Sequence, residues 1–163
     1  MENQRRNALK KVLMAVTGAV GLGLWAKAES PVTRIAGAPS PASDEKEVFN
    51  VVDQDQVPLF SGATKHRGLI FVAGKGAHFE GDIKAHTDHV LKELEKELIA
   101  AGSSMEKVLK VSVFLNDIED YKGMNEVYQG RFGSKPPVRT TVAVAKGGVP
   151  GNSLVEMDCI AYH

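Results

Sequence analysis

Residues 154–162 read LVEMDCIAY, and this stretch decides how the sheet of the protein is built. Apolar side chains occupy every second position from Val155 to Ala161, whereas Glu156 and Asp158 lie between them. Successive side chains of a β-strand point to opposite faces, so one face of this strand is apolar and the other is acidic. The pattern predicts a sheet that is covered by helices on its apolar face only.

The rest of the chain supplies partners for this strand. Stretches rich in β-forming residues predict five further strands, over residues 47–52, 60–65, 69–73, 108–115 and 138–145. Steps of three and four residues between apolar positions predict helices over 83–101 and 117–132, with Asp82 as a helix start and Gly102 as a stop. Two helices cannot cover both faces of so wide a sheet, so we expect an α+β sandwich with both helices on one face. The uncovered face predicts a homo-oligomer.

The N-terminal residues resemble an export signal. Arg5 and Arg6 precede an uncharged run over 12–26, which is short for a bilayer-spanning helix of about 20 residues. The run ends in Ala26-Lys27-Ala28, the small-x-small pattern of a signal-peptidase site. Residues 1–28 therefore predict a twin-arginine signal peptide, the twin-arginine translocase as a partner during export, and a periplasmic or otherwise exported location in a bacterium. The alternative is an uncleaved signal that anchors the protein to the membrane.

The remaining chain divides into a linker and one domain. Residues 29–46 are rich in Pro, Ser, Ala and Gly and predict a disordered linker before a domain over 47–163. Without residues 1–28 the chain keeps 15 basic and 19 acidic residues, a formal net charge of −4. Such a body lacks the clustered cations that bind nucleic acid, so we predict no nucleic-acid partner. The single cysteine, Cys159, excludes an internal disulfide and is expected to be a buried apolar residue.

Charged residues in the last two strands are the candidates for chemistry. In residues 138–144, Arg139 and Thr141 alternate with an apolar set that we expect to pack under the helices. Arg139 would then share the opposite sheet face with Glu156 and Asp158, between subunits. Charges in such a place are costly unless they are paired or functional. Two interpretations stay open, an ion pair between subunits and a binding or catalytic site.

Two histidines are candidate metal ligands. His86 and His89 lie about one turn apart on the long predicted helix, with Glu93 a further turn along. No second cluster of ligands accompanies them, so we predict no metal site.

Several motifs resemble one family in a single register. Residues 137–142, PVRTTV, resemble the Pro-Ala-Arg-(Ser/Thr) signature of the RidA/YjgF proteins, and residues 155–161, VEMDCIA, are similar to the C-terminal strand of that family. Residues 108–117 and 124–128 are similar to its central strand and to the Asn-x-x-Tyr of its second helix. The resemblance spans roughly residues 56–163. It implies a chorismate-mutase-like fold and a homotrimer with three sites at the subunit interfaces.

The resemblance also implies an activity. RidA-type proteins hydrolyse enamine and imine acids, such as 2-aminoacrylate, to 2-keto acids and ammonia, as 2-iminobutanoate/2-iminopropanoate deaminases without a metal or organic cofactor. By this resemblance Arg139 binds the substrate carboxylate, and Glu156 orients or activates the attacking water or donates a proton to the leaving nitrogen. The remaining substrate-binding positions that the resemblance implies are Phe60, Gly74, Asn125 and Thr141.

Departures from the family pattern keep an alternative open. Phe60 stands where active members usually have a tyrosine, and Lys75 stands where glutamine is common. The segment from Tyr128 to Arg139 is shorter than in many members. The alternative function is therefore a non-catalytic trimer that binds small carboxylates or partner proteins. An endoribonuclease function, an older label of the family, is disfavoured by the net charge of −4.

Overall fold

The computed structural model describes residues 44–163. The predicted signal peptide over 1–28 and nearly all of the linker lie outside these residues. Within the described part of the chain, no helix combines the length and the hydropathy needed to cross a membrane. Six strands and two helices follow in the predicted order β-β-β-α-β-α-β-β. They are β1 Glu47–Gln54, β2 Val57–His66, β3 Leu69–Lys75, α1 Ile83–Ala100, β4 Val108–Leu115, α2 Tyr121–Tyr128, β5 Val138–Ala143 and β6 Val155–Tyr162.

The six strands form one mixed sheet in the order β1-β2-β3-β6-β4-β5. Neighbouring strands are antiparallel, except that β4 and β5 are parallel. Helix α1 packs against β6 and β3, and α2 packs beside α1. The predicted α+β sandwich with two helices on one face is therefore confirmed.

Helix α1 begins and ends where the sequence predicts. The Asp82 carboxylate accepts a hydrogen bond from the backbone N–H of Ala85 at 2.8 Å, which satisfies one free donor of the first turn. Gly102 follows the last turn with φ of +81°, a conformation that glycine adopts without strain. The face toward the sheet carries four fully buried apolar side chains, Val90, Leu91, Leu94 and Leu98.

The second helix is shorter than predicted. A 3₁₀ turn over Ile118–Asp120 precedes α2, which stops after eight residues instead of continuing to Phe132. Gln129 leaves the helical conformation with ψ of 130°, and Gly130 follows with φ of +81°. Phe132 nevertheless packs on Tyr128, with the ring centroids 4.9 Å apart. The apolar spacing thus correctly indicated that Phe132 is buried, but Gly130 ends the helix before Phe132.

The face of the sheet opposite the helices carries apolar side chains that no element within residues 44–163 covers. Directly paired residues of neighbouring strands share a face, and one such row runs from Val48 through Phe71 and Ile160 to Val138. The large apolar side chains on this face that are 40 to 70% exposed are Val48, Leu69, Phe71, Val138, Val142 and Tyr162. We call this surface the open face. Contiguous exposed apolar area of this kind is typical of an interface.

One buried carboxylate of α1 joins three strands on the helix face. Glu97 accepts hydrogen bonds from the Lys75 ammonium of β3 and from the Asn50 amide of β1, both at 2.7 Å. A Cβ at Gly62 of β2 would lie 2.6 Å from the same carboxylate, so only glycine leaves room for it. Lys75 reaches the helix face because a bulge interrupts the pairing of β3 with β6 just before it.

We predict that Glu97→Ala lowers the free energy of unfolding by about 3 kcal/mol, because it leaves the Lys75 ammonium without its partner in a largely buried position. Urea denaturation measures the change. Glu95→Ala is the control, since Glu95 is exposed on the same helix, and it should cost no more than about 0.5 kcal/mol. Equal losses for the two variants would contradict the role of Glu97.

Candidate functional site

Arg139 lies on the helix-covered side of the sheet. It pairs with Val111 of β4, and Val111 pairs with Cys159 of β6, which is 2% exposed beneath the helices. Glu156 pairs instead with Phe114 and lies on the open face. The expectation that Arg139 and Glu156 share one face of adjacent strands is therefore wrong. Strand β4 lies between their two strands, and the two side chains leave the sheet on opposite sides.

The error has a physical reason. Alternation along β5 shows which of its residues share a face, but not which face they share. β5 is an edge strand, so its apolar set is not obliged to lie under the helices, and Val138 remains 70% exposed on the open face. The parallel register with β4 decides the orientation instead.

Aromatic side chains of α2 surround the Arg139 guanidinium. Its central carbon lies 4.5 Å from the ring centroid of Tyr128 and 5.8 Å from that of Tyr121, within the range of cation–π attraction. Nη2 donates to the Tyr121 hydroxyl at 3.3 Å, and Nη1 lies 3.9 Å from the sulfur of Met124. Among residues 44–163, Arg139 forms no ion pair with a carboxylate. Its positive charge is held in place and can bind an anion.

Two further predicted residues lie on this flank. Thr141 pairs with Val113, two positions beyond the Arg139 pair, so it points to the same side. Its hydroxyl is buried and has no hydrogen-bond partner within the described residues. Asn125 lies four residues after Tyr121 and three before Tyr128 on α2, so it neighbours both tyrosines that contact Arg139. Arg139, Thr141 and Asn125 thus form one group at the β5 edge, which we call the arginine cluster.

Tyr128 is the support of the arginine cluster. Its hydroxyl is buried without a partner among residues 44–163, and burial raises the pKa of Tyr128 to about 12, although the Arg139 charge acts in the opposite direction. The phenol therefore stays protonated at neutral pH and offers the guanidinium its aromatic face. The Asn-x-x-Tyr motif pointed to Tyr128, but Tyr121 escaped the sequence analysis. The sequence signal for Tyr121 was its spacing of seven residues from Tyr128, which puts both tyrosines on one side of the helix that precedes the strand of Arg139.

Glu156 and Gly74 form a second group on the open face. The Glu156 carboxylate sits directly over Gly74 at the bulge of β3, where any Cβ would collide with Oε1 of Glu156. Glu156 also lines a cavity of about 170 Å³ together with Phe114 and residues 148–150. The structure thus brings together the predicted pair of Glu156 and Gly74, which we call the glutamate cluster.

Phe60 lies apart from Arg139 within one chain. It is 51% exposed on β2 and lines a shallow groove of about 540 Å³ along β1 and β2. β2 is four strands away from β5, a separation of about 19 Å at 4.8 Å per strand. A single chain therefore does not bring all the predicted site residues into one pocket.

His86 stabilises the backbone next to the glutamate cluster. Its Nε2 lies 2.9 Å from the carbonyl oxygen of Phe79, and its Nδ1 accepts from the N–H of Leu154 at 3.1 Å. Both ring nitrogens are occupied and the side chain is 2% exposed, so His86 is not available as a metal ligand. It fixes the start of β6, two residues before Glu156.

The architecture and this site define a class of protein. The mixed sheet with two helices on one face forms an α+β sandwich, and its edge strand carries an arginine that has no carboxylate partner within residues 44–163. A family model described as Endoribonuclease L-PSP matches residues 55–163. The chain therefore belongs to this family, which is the RidA/YjgF family that its motifs resemble.

Named relatives and solved structures agree with this membership. The chain is 40% identical to a RutC family protein of Pyrococcus abyssi over 110 residues, which cover 63% of this chain and 85% of the relative. It is 32% identical over 133 residues to the chloroplastic Reactive Intermediate Deaminase A of Arabidopsis thaliana, covering 75% and 68% of the two chains. The crystal structure of yeast Mmf1 superimposes with a TM-score of 0.63 at 26% identity, covering 76% of this chain and 98% of that one.

We predict that Cys159 does not react with Ellman's reagent in the native protein at pH 8. Burial raises the pKa of the Cys159 thiol to about 12, with a smaller contribution from Asp158, and the reactive thiolate forms only as the pH rises toward that value. Its fraction at pH 8 is about one in ten thousand. Guanidinium-unfolded protein is the control and should react fully, whereas complete reaction of the native chain within minutes would contradict the burial of Cys159.

Proposed function

We propose that the protein hydrolyses reactive 2-imino and enamine acids, such as 2-aminoacrylate, to 2-keto acids and ammonia. The observation that carries the proposal is the Arg139 guanidinium, which is fixed by two aromatic rings and has no carboxylate partner within residues 44–163. An arginine in such a setting binds a carboxylate through two parallel N–H···O bonds. The relative named Reactive Intermediate Deaminase A supports this choice of chemistry.

The reaction needs little from the protein beyond placement. 2-Aminoacrylate takes up a proton at its methylene carbon and becomes an imine, whose C2 is electrophilic when the nitrogen is protonated. Water adds to C2, the C–N bond breaks, and the nitrogen leaves as ammonia with the formation of a keto acid. Glu156 orients or activates the water, or donates the proton to the leaving nitrogen. Fixing substrate and water together supplies much of the rate enhancement.

The remaining predicted residues complete the site. Gly74 contributes backbone contacts beside Glu156, and Thr141 contributes them beside Arg139. Asn125 lines the pocket on the side of α2, and Phe60 covers it with an apolar ring. These assignments follow the resemblance, and the two clusters described above are compatible with them.

We propose further that the active site is shared between subunits of a homotrimer. The arginine cluster lies at the β5 edge on the helix side, and the glutamate cluster lies on the open face. No movement within one chain joins them without unpairing the sheet. A neighbouring subunit whose open face packs against the β5 edge places its Glu156 beside Arg139, and the same contact covers exposed apolar side chains such as Val138 and Val142.

Complementation between inactive variants tests the shared site. We predict that Arg139→Lys and Glu156→Gln each lose at least 100-fold in the rate of keto-acid formation from 2-aminoacrylate generated in situ, since lysine cannot form the bidentate contact and an amide cannot act as the base. When the two variants are unfolded, mixed in equal amounts and refolded, about a quarter of the sites should combine an intact arginine with an intact glutamate. The mixture should recover about that share of the activity.

The controls separate the reaction from the assembly. Each variant refolded alone should remain inactive, and Arg67→Lys, at an exposed residue that pairs with Asp44, should keep full activity. Inactive mixtures of trimers that have demonstrably exchanged subunits would contradict the shared site. Equal rates for wild type and Arg139→Lys would contradict the assignment of Arg139, and the absence of keto-acid formation by the wild type would contradict the proposed reaction.

A non-catalytic binding protein is the second candidate. Phe60 favours it, because a phenylalanine offers no hydroxyl to position the attacking water. Binding of pyruvate that depends on Arg139, without turnover of any imine, would favour this function over hydrolysis. The ribonuclease function named in the family description remains disfavoured by the net charge of the chain beyond residue 28, and RNA cleavage that persists in a highly purified sample would revive it.

Export is a separate proposal that rests on the sequence of residues 1–28. We predict that replacing both Arg5 and Arg6 by lysine keeps the precursor in the cytoplasm of a bacterial host, because the twin-arginine route reads the arginine pair. Cell fractionation followed by immunoblotting measures the location. Replacing Lys10 and Lys11 by arginine retains the charge and should leave export intact. Periplasmic delivery of the Arg5 and Arg6 variant at the normal level would refute the proposal.

A further inference from the structure

Tyr121 occupies a position from which it can contact a ligand of Arg139. It is the first residue of α2, and 43% of it is exposed, so a solute can reach its hydroxyl. A phenol hydroxyl offers one donor proton and two acceptor lone pairs. Nη2 of Arg139 donates to this oxygen at 3.3 Å. In this bond the Tyr121 hydroxyl oxygen is the acceptor. Within residues 44–163, the proton of the Tyr121 hydroxyl has no hydrogen-bond acceptor.

The bond from Arg139 limits where the Tyr121 proton can point. A guanidinium carries donors and no acceptor, so the hydroxyl cannot donate back to it. The proton is therefore not donated to Arg139 and remains available to an anion that the guanidinium binds. A carboxylate has about four lone-pair positions, enough to accept from the arginine fork and from one hydroxyl together.

Tyr128 differs from Tyr121 in what its hydroxyl can do. The Tyr128 ring lies closer to the guanidinium, at 4.5 Å against 5.8 Å, but its hydroxyl is buried and out of reach of a solute. Tyr128 therefore positions Arg139 through its ring. Tyr121 presents both its ring and a reachable donor to the same place.

We infer that Tyr121 is a second carboxylate-binding residue of the site, donating its hydroxyl proton to the substrate carboxylate that Arg139 holds. The inference rests on the proposed binding of a carboxylate by Arg139, and it adds a residue that neither the motifs nor the family resemblance assigned. The two N–H donors of Arg139 and the hydroxyl of Tyr121 together would favour a ligand with several acceptor positions in one plane, such as a carboxylate. Hydrogen bonds to a charged group are the stronger class in proteins, so the loss of this one is measurable.

Pyruvate, the keto acid formed from 2-aminoacrylate, is the probe, since its binding is measured without any turnover. Isothermal titration of the assembled full-length protein compares wild type with Tyr121→Phe, which removes the hydroxyl and keeps the ring. We expect the dissociation constant for pyruvate to rise about tenfold or more. Tyr121 would contact the substrate carboxylate equally in the ground state and in the transition state. In the hydrolysis assay, KM of Tyr121→Phe should therefore rise while kcat stays within about twofold of wild type.

Tyr162→Phe is the matched control. Tyr162 is 44% exposed, almost the same as Tyr121, but it lies on β6, where its ring faces the Lys107 ammonium. This variant should bind pyruvate as wild type does.

The outcomes separate the inference from the proposed function. Wild-type affinity for pyruvate in Tyr121→Phe overturns the assignment of Tyr121, even if the imine is hydrolysed as proposed. Absence of pyruvate binding in the wild type overturns it as well. A wild-type protein that binds pyruvate tightly, loses affinity in Tyr121→Phe and hydrolyses no imine would refute the hydrolase and uphold Tyr121.

Discussion

The parallel pairing of β5 with β4 is the constraint on which the candidate site depends. Parallel neighbours need a crossover connection, and here α2 lies in that connection, between β4 and β5. The helix is thereby held against the side of β5 that carries Arg139. The register of Arg139 with Val111 then turns the guanidinium toward the helix, where two tyrosines receive it. A shift by one residue would put Arg139 on the open face, away from them.

The other half of the site depends on an interruption of the regular sheet. The bulge in β3 lets Lys75 turn to Glu97 on the helix side while Gly74 stays under the Glu156 carboxylate. The ammonium is thus bound to a buried partner and held away from the candidate catalytic carboxylate. Lys75 stands where the family commonly has glutamine, and its ion pair with Glu97 gives it a structural role in this protein.

The sequence predicted regular elements well where one strong pattern acted alone. β6 shows the expected alternation, with Val155 and Met157 buried and Glu156 on the other side, because a central strand has a core on one side only. α1 begins at Asp82 and stops before Gly102 through local hydrogen bonding and backbone conformation. The second helix was predicted too long, since the apolar spacing continued beyond the glycine that ended it.

By itself, the sequence determined the order of the elements, the two-layer architecture and the family, because these follow from local periodicity and from motifs such as PVRTTV. Only the tertiary structure decided which face Arg139 occupies, that Tyr121 as well as Tyr128 lies beside it, and that the arginine and glutamate clusters lie on opposite faces of the sheet. The physical reason is that alternation is symmetric between the two faces of an edge strand. The register with β4, a contact between distant residues, removes that symmetry.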